Sequence, residues 1–197
     1  MQKQKIINWV IFILLSFIWG SSFILMKLSK EDLTGIQIGA VRIFSAGLVF
    51  IPFAIFQFSK IPGRKIPLII LSGLIGNFLP AFLFAIAIEK KINSSLAGIL
   101  NSLTPLFVIV ITVVFYHVKL SRRKIAGVLI GFAGLLALSL SKGGISFDNS
   151  GYAFLILVAT ILYAINVNLV SHYLKDVNPL HMATVSLSCM SIPGKQS

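Results

Sequence analysis

The sequence predicts an all-α integral membrane protein, a polytopic helical bundle. Of its 197 residues 57% are hydrophobic and only 11% are charged, whereas soluble domains carry about 25% charged residues. The apolar residues come in blocks of roughly 20, the length of helix that crosses about 30 Å of hydrocarbon. Long continuous runs, rather than short alternating segments, favour helices over a closed barrel, the other way to satisfy every backbone group in lipid.

The apolar blocks predict six membrane spans and part of a seventh. The first follows "MQKQK" but is too long for a signal peptide, and no A-x-A-like cleavage site follows it. The last block, 180–192, would form roughly 20 Å of helix, which is too short to cross. The six full spans are expected at 8–28, 36–58, 67–88, 94–116, 125–141 and 152–173.

The net charge of +12 is spread over the loops, so no basic domain for nucleic acid is expected. The positive-inside rule instead predicts a cytoplasmic N-terminus. Ten basic residues then lie on the cytoplasmic side: Lys3, Lys5, Lys60, Arg64, Lys65, Lys119, Arg122, Arg123, Lys124 and Lys175. Five lie opposite: Lys27, Lys30, Lys90, Lys91 and Lys142.

A shift of 144 residues lays the sixth span on the first. "FILLSFIWGSSFILMK" (12–27) then faces "ILVATILYAINVNLVS" (156–171), with Trp19 opposite Tyr163 and Ser22 opposite Asn166. Because five spans precede the recurrence, the second copy enters the membrane inverted, as in many secondary transporters. We therefore expect one five-helix repeat, 8–141, followed by the start of an inverted second repeat, 152–192.

Polar residues recur near the middle of the spans, where an alternating-access site must lie. Such residues also join helices, at about 0.6 kcal/mol per hydrogen bond, so packing remains the alternative for each one. Pro80 and Pro105 are expected to kink their helices. The candidate substrate-binding residues are Trp19, Ser21, Ser22, Arg42, Asn77, Asn101, Thr104, Pro105, Tyr163 and Asn166.

Arg42 is the most informative charge, because it lies about seven residues inside the second span. An arginine at the membrane centre costs about 2.5 to 3.5 kcal/mol on insertion scales. It either faces a cavity as a cationic group, or it snorkels or has a structural partner. The acids, Glu31, Asp32, Glu89, Asp148 and Asp176, all fall in loops or at helix ends. This balance favours an anionic or zwitterionic solute.

Other motifs indicate packing rather than chemistry. Gly127 and Gly131 form G-x-x-x-G, with Gly134 nearby, which allows the backbone of another helix to approach closely. His117, His172 and His181 lack the H-E-x-x-H spacing of a zinc protease. Cys189 is the lone cysteine, so no intramolecular disulfide forms. We expect no enzyme, no metal site and no cofactor.

Four segments together resemble the EamA-type transporters of the drug/metabolite transporter superfamily. They are "WGSSF" in the first span, Arg42 in the second, "NSLTPLF" (101–107) in the fourth and "LSRRKIAGVLIGFAGLLAL" (120–138) in the fifth. The resemblance runs from about residue 8 to 192. One departure stands out: the family usually has a glutamate before the "LS" of the fifth helix, where this chain has Val118.

The resemblance implies ten helices in two inverted five-helix repeats that carry metabolites such as amino acids across a membrane. By that comparison the chain is expected to be truncated after the start of the second repeat. The hypothesis is a transporter of small anionic or zwitterionic metabolites in the bacterial inner membrane. The alternative is a truncated, non-transporting protein or a packing partner for another repeat. Expected partners are the lipid bilayer and a small-molecule solute, with a homodimer or a second repeat left open.

Overall fold

The computed structural model describes residues 2–90, 92, 94–118, 121–141 and 150–191. Within these ranges the chain consists of helices and turns, with no strand. The predicted fold class, an all-helical polytopic bundle, is confirmed. Five residues named in the sequence predictions lie outside the described residues: Lys91, Lys119, Lys142, Asp148 and Ile192.

Nine α-helices make up the described fold. They are α1 (Gln2–Ser29), α2 (Gly35–Gln57), α3 (Ile66–Gly73), α4 (Leu79–Glu89), α5 (Ser94–Asn101), α6 (Thr104–Tyr116), α7 (Arg122–Ser141), α8 (Ser150–Tyr173) and α9 (Pro179–Ser191). A π turn, Leu74–Phe78, joins α3 to α4, and two short 3-10 turns, Phe58–Lys60 and Gly63–Lys65, precede α3.

Five helical segments of the described chain are long and apolar enough to cross a membrane, which makes this a multi-pass membrane protein. They are Gln4–Ser29, Gly35–Gln57, Gly63–Glu89, Leu96–Tyr116 and Gly151–Tyr173, and they coincide with five of the six predicted spans. The predicted fifth span, 125–141, lies in α7, a 20-residue helix that begins with three basic residues. The predicted partial span corresponds to α9, which has 13 residues.

The π turn lies directly before Pro80. Proline has no N–H, so in an unbroken α-helix the carbonyl of Gly76 would lose its donor in the middle of the membrane. The chain widens instead, and the N–H of Leu79 bonds to the carbonyl of Leu74, five residues back. The predicted kink at Pro80 therefore takes the form of a π turn.

Pro105 lies at a break in the fourth span, where α5 ends at Asn101 and α6 begins at Thr104. The carbonyl of Asn101 would normally accept the N–H of residue 105, which proline lacks. The Thr104 hydroxyl donates to this carbonyl instead, at 2.7 Å. A neighbouring side chain thus satisfies the group that proline leaves free.

Helix α8 lies at the centre of the described bundle and packs against α3, α4, α5 and α6. Its Ile156, Ala159 and Ala164 are fully buried. One apolar cluster joins α8 to α4 and α5 around Phe84 and Ile156, and another joins it to α3 and α9. The first helix of the proposed second repeat is therefore part of the same core as the first repeat.

Contacts at the two ends of the bundle show how α1 and α8 run relative to each other. At one end, Met26 of α1 packs with Ile38 of α2 and Ile88 of α4. At the other end, Lys65, before α3, donates to the carbonyl of Tyr173, where α8 ends, at 2.6 Å. Because α3 and α4 form one continuous span, these are opposite ends, and α8 runs antiparallel to α1. This is the relation that an inverted repeat requires.

Asn168 is the main polar link between α8 and α6. Its side chain is 2% exposed. The amide nitrogen donates to the carbonyl of Ala164 at 3.0 Å and of Val108 at 3.3 Å. The amide oxygen accepts the hydroxyl of Thr112 at 2.7 Å. The sequence reading missed this residue as a link.

Small residues bring α9 close to the first repeat. A Cβ added at Gly47 of α2 would meet Ser191, and one added at Gly73 of α3 would meet Ser186. Gly127, Gly131 and Gly134 would allow a similar approach, but no described atom outside α7 lies within 4 Å of a Cβ built at any of these positions. The main described neighbours of α7 are α5 and α6, and neither places an atom against this glycine face.

We expect Asn168→Ala to lower the free energy of unfolding by about 1 to 2 kcal/mol, because it removes hydrogen bonds between helices. Thermal unfolding of the purified protein in detergent measures the change. The double variant with Thr112→Val should lose less than the sum of the single variants, since both share one contact. Ser45→Ala, whose hydroxyl bonds only within α2, is the control. Additive losses would contradict the link.

The ion pair between Lys65 and Asp176 gives a pH dependence. Its Nζ and Oδ1 atoms are 2.9 Å apart, and the hydrogen bond from Lys65 lowers the pKa of the Asp176 carboxyl below its usual value. Such a carboxyl stabilises the fold above its unfolded pKa of about 3.9, and this contribution is lost as the pH falls through the lower folded pKa. Asp176→Asn should therefore be less stable than the parent at pH 7. Unfolding measured from pH 7 to pH 3 should show that difference shrinking, and a constant difference would contradict it.

Candidate functional site

A polar cavity of about 260 Å³ lies where α1, α2, the π turn, α4, α5 and α8 meet. Six of the ten predicted site residues line it. The complete lining is Ile18, Trp19, Ser22, Phe23, Met26, Arg42, Gly76, Asn77, Phe84, Asn101 and Tyr163.

One face of α1 forms a wall of this cavity. Ile18, Ser22 and Met26 follow each other at intervals of four residues, and Trp19 and Phe23 form a parallel row beside them. The polar interruption in the first span therefore turns Ser22 inward. A Cβ built at the neighbouring Gly20 has no atom of the described chain within 4 Å, so this glycine makes no close helix contact there.

Arg42 reaches the cavity from α2. Its Nη1 atom lies 2.7 Å from the sulfur of Met26, to which it donates. No carboxylate of the described chain lies within 4.0 Å of the guanidinium, since the ion pairs found there involve Lys65 and Lys90. If Arg42 has a structural partner among the described residues, that partner is the thioether of Met26 and not a carboxylate. An anionic group in the cavity would meet a cation with unused donors.

The position of α2 along its axis is fixed at its N-terminus. Thr34 and Gln37 form a capping box, with the Thr34 side chain accepting from the N–H of Gln37. Glu89, at the end of α4, accepts the N–H of Gly35 at 2.8 Å. This carboxylate at a helix N-terminus is electrostatically favourable. No carboxylate lines the cavity itself.

The two asparagines of the cavity come from the two proline-related irregularities. Asn77 lies within the π turn, and such turns are frequent at functional sites. Asn101 is the last residue of α5, and its Oδ1 atom is buried with no hydrogen-bond partner among the described residues. A buried acceptor of this kind is costly unless a ligand or water donates to it.

Four predicted residues lie elsewhere. Ser21 is on the exposed side of α1 and donates to the carbonyl of Ile18 at 3.0 Å. Thr104 and Pro105 line a separate apolar cavity beside α7. Asn166 packs on Gly76, and its buried Oδ1 also lacks a partner in the described chain. It is not among the residues that line the polar cavity.

Five lining residues were missed by the sequence reading: Ile18, Phe23, Met26, Gly76 and Phe84. The helical spacing from Ser22 and Trp19 could have identified the three on α1, since residues four apart share a face. Gly76 adjoins Asn77, and Phe84 lies seven residues beyond it. Among the described residues there is no group of three or more His, Cys, Asp or Glu side chains able to hold a metal ion.

The fold and the cavity together define a class of protein: a multi-pass helical membrane protein with a solute-sized polar cavity between its helices. The family model described as the EamA-like transporter family matches residues 7–140. The chain belongs to this family of membrane transporters, and the resemblance seen in its motifs is confirmed.

Individual relatives have modest identity. An uncharacterized transporter of Archaeoglobus fulgidus is 26% identical over 94% of this chain and 65% of its own length. The uncharacterized inner membrane transporter YedA of Escherichia coli K12 is 28% identical over 76% of this chain and 48% of its own length. Protein PagO of Salmonella typhimurium is 24% identical over 81% and 53%. The chain thus spans about half to two thirds of the length of these relatives. No solved structure matches it.

We expect Gly76→Ala to destabilise the protein, because the added methyl group would overlap the amide of Asn166. Overpacking of this kind typically costs about 1 to 3 kcal/mol. Adding Asn166→Ala should recover part of the loss by emptying that space, which thermal unfolding in detergent would measure.

Gly20→Ala is the matched control for this prediction, since its methyl group would meet no described atom. It should leave the stability unchanged or slightly raised, because alanine is the better helix former. Equal losses in the Gly76 and Gly20 variants, or no recovery in the double variant, would show that the contact between Gly76 and Asn166 does not limit packing.

Proposed function

We propose that this chain belongs to a transporter that moves small anionic or zwitterionic metabolites across the bacterial inner membrane by alternating access. The observation that carries the proposal is Arg42, a cation that lines an interior cavity and has no carboxylate partner among the described residues. Its role would be transport rather than catalysis, as in the family to which it belongs.

The cavity has the groups needed to bind a small carboxylate. The Arg42 guanidinium would bind the carboxylate through charge-assisted hydrogen bonds, which are roughly twice as strong as neutral ones. Ser22 and Tyr163 add hydroxyl groups, and the free Oδ1 of Asn101 would accept a donor from the solute. A volume of about 260 Å³ lies just below the usual range of ligand pockets, which suits a small metabolite.

One structural feature supports alternating access. The antiparallel helices α1 and α8 supply Trp19 and Tyr163, the residues paired by the repeat, to the same cavity. Inverted repeats around a central site are the usual basis of such transport.

The distribution of charge supports an orientation in the membrane. At the end of the bundle where α6 and α8 end lie the basic side chains of Lys65, Arg122, Arg123 and Lys124. We propose that this end faces the cytoplasm together with the N-terminus.

The alternative, in which this chain acts as a packing partner for another repeat, has one supporting observation. Trp19 lines the cavity and is nevertheless 59% exposed, so α1 leaves this side of the cavity accessible. A second repeat or a second copy of the chain would cover it. Transport by the complete assembly and pairing of repeats are compatible, because the pairing would supply the missing wall.

Trp19 offers a direct binding assay, since the chain has only one other tryptophan, Trp9. In a Trp9→Phe background, we expect small carboxylates and α-amino acids to change the fluorescence of Trp19 in a saturable manner. Arg42→Gln should weaken this binding by about tenfold or more, because hydrogen bonds to charged groups contribute roughly 1.5 to 3 kcal/mol.

Lys27→Gln is the control. It removes a cation from the last turn of α1, the helix that carries Trp19, but not from the cavity lining, so this variant should bind the solutes as the parent does. Uptake or efflux of the same solutes is then measured in cells that express the complete reading frame, with Arg42→Ala and Ser22→Ala. Wild-type transport in both variants, or transport of a quaternary cation but not of carboxylates, would overturn the proposal.

A further inference from the structure

A second cavity, of about 420 Å³, lies between α6 and α7 and is separate from the polar one. We refer to it as the α6–α7 groove. Its α6 side includes Val108 and Ile109, its α7 side is formed by Lys124 and Val128, and Val167 of α8 lies at its base. From Thr112 to Thr104 it follows α6 for about 12 Å, at 1.5 Å per residue.

The groove offers hydrocarbon-like walls despite its two threonines. The Thr104 hydroxyl donates to the carbonyl of Asn101 at 2.7 Å. The Thr112 hydroxyl lies 2.7 Å from both the carbonyl of Val108 and the Oδ1 of Asn168. Since the protein already engages these hydroxyls, the remaining surface is almost entirely aliphatic and suits an alkyl chain rather than a polar solute.

Positive charge is concentrated at one end of this groove. Lys124 lines it, and Arg122 and Arg123 precede Lys124 in the first turn of α7. None of these three forms an ion pair with a described carboxylate. The nearby end of α6 is fixed against α8 by the stacked rings of Tyr116 and His172, 3.7 Å apart between centroids. The charges therefore lie where the groove meets the end of the bundle, the level of lipid headgroups.

We infer that the α6–α7 groove binds one anionic phospholipid, with an acyl chain along α6 and the phosphate on Lys124, Arg122 and Arg123. An apolar groove at membrane depth with a basic mouth matches both parts of such a lipid, and basic pockets between membrane helices are known to bind acidic headgroups. The lipid would fill the space between α6 and α7, where Lys124 and Val128 of α7 line an open cavity instead of packing directly on Val108 and Ile109. The lipid thereby joins α7 to the rest of the bundle.

The test uses the purified chain, delipidated in nonionic detergent, with phosphatidylglycerol, phosphatidylcholine or soluble glycerol phosphate added. Phosphatidylglycerol should raise the melting temperature and remain bound in native mass spectrometry, whereas phosphatidylcholine and glycerol phosphate should do neither. Lys124→Gln should weaken the apparent affinity about fivefold, and removing all three charges about a hundredfold, at about 1 kcal/mol per basic residue. Lys175→Gln, in the turn after α8, is the control for charge alone.

A second pair of variants tests the groove independently of the charges. Val128→Trp should fill it and abolish lipid retention, while Ile130→Trp, on the lipid-exposed side of α7 at 71% exposure, should not. Equal stabilisation by phosphatidylcholine or by glycerol phosphate would overturn the inference. So would lipid retention that is unchanged in the triple charge variant or in Val128→Trp.

Discussion

The requirement that every backbone carbonyl find a donor in hydrocarbon shapes the centre of this molecule. Two prolines, Pro80 and Pro105, each remove a donor at mid-membrane, where water cannot replace it. The chain solves the problem once with a π turn and once with a helix break capped by Thr104. Asn77 lies within the π turn and Asn101 at the helix break, and both line the same cavity.

Helix α8 completes the arrangement that the two irregular spans begin. It fills the core between α3, α4, α5 and α6, and it contributes Tyr163 to the cavity that Trp19 of α1 also lines. Its own polar residues fall into two groups. Asn168 and Thr160 are buried and bonded to carbonyls of α5, α6 and α8, which makes them structural. Asn166 forms the second group: it lies on a different face of α8 from Asn168, and its buried Oδ1 has no hydrogen-bond partner in the described chain.

The sequence predicted how deep each residue lies in the membrane better than it predicted which side of its helix the residue faces. Span length follows from bilayer thickness, so five spans could be placed to within about four residues at each end. Whether a polar residue at the right depth faces a cavity depends on its angle on the helix. Ser21 and Ser22 differ by only one residue, and only Ser22 turns inward.

Other parts of the site required the folded structure. The breaks at the prolines alter the helical phase, so the periodicity of the sequence could not show that Thr104 and Asn101 face different cavities. The packing of Asn166 on Gly76 depends on two spans that are about 90 residues apart in sequence. The missing contact at Gly131 had no signal in the sequence, because a glycine motif shows what a helix permits and not whether a neighbour is present.

Glu89 has a mechanical role that its distance from the cavity conceals. Its bond to the N–H of Gly35 holds α2 at one register against α4, and Arg42 is seven residues further along that helix. Slippage of α2 by a single residue would move the guanidinium by about 1.5 Å along the axis and rotate it by about 100°. A carboxylate at the membrane boundary thus fixes the register of α2, and this register determines where in the cavity the Arg42 guanidinium lies.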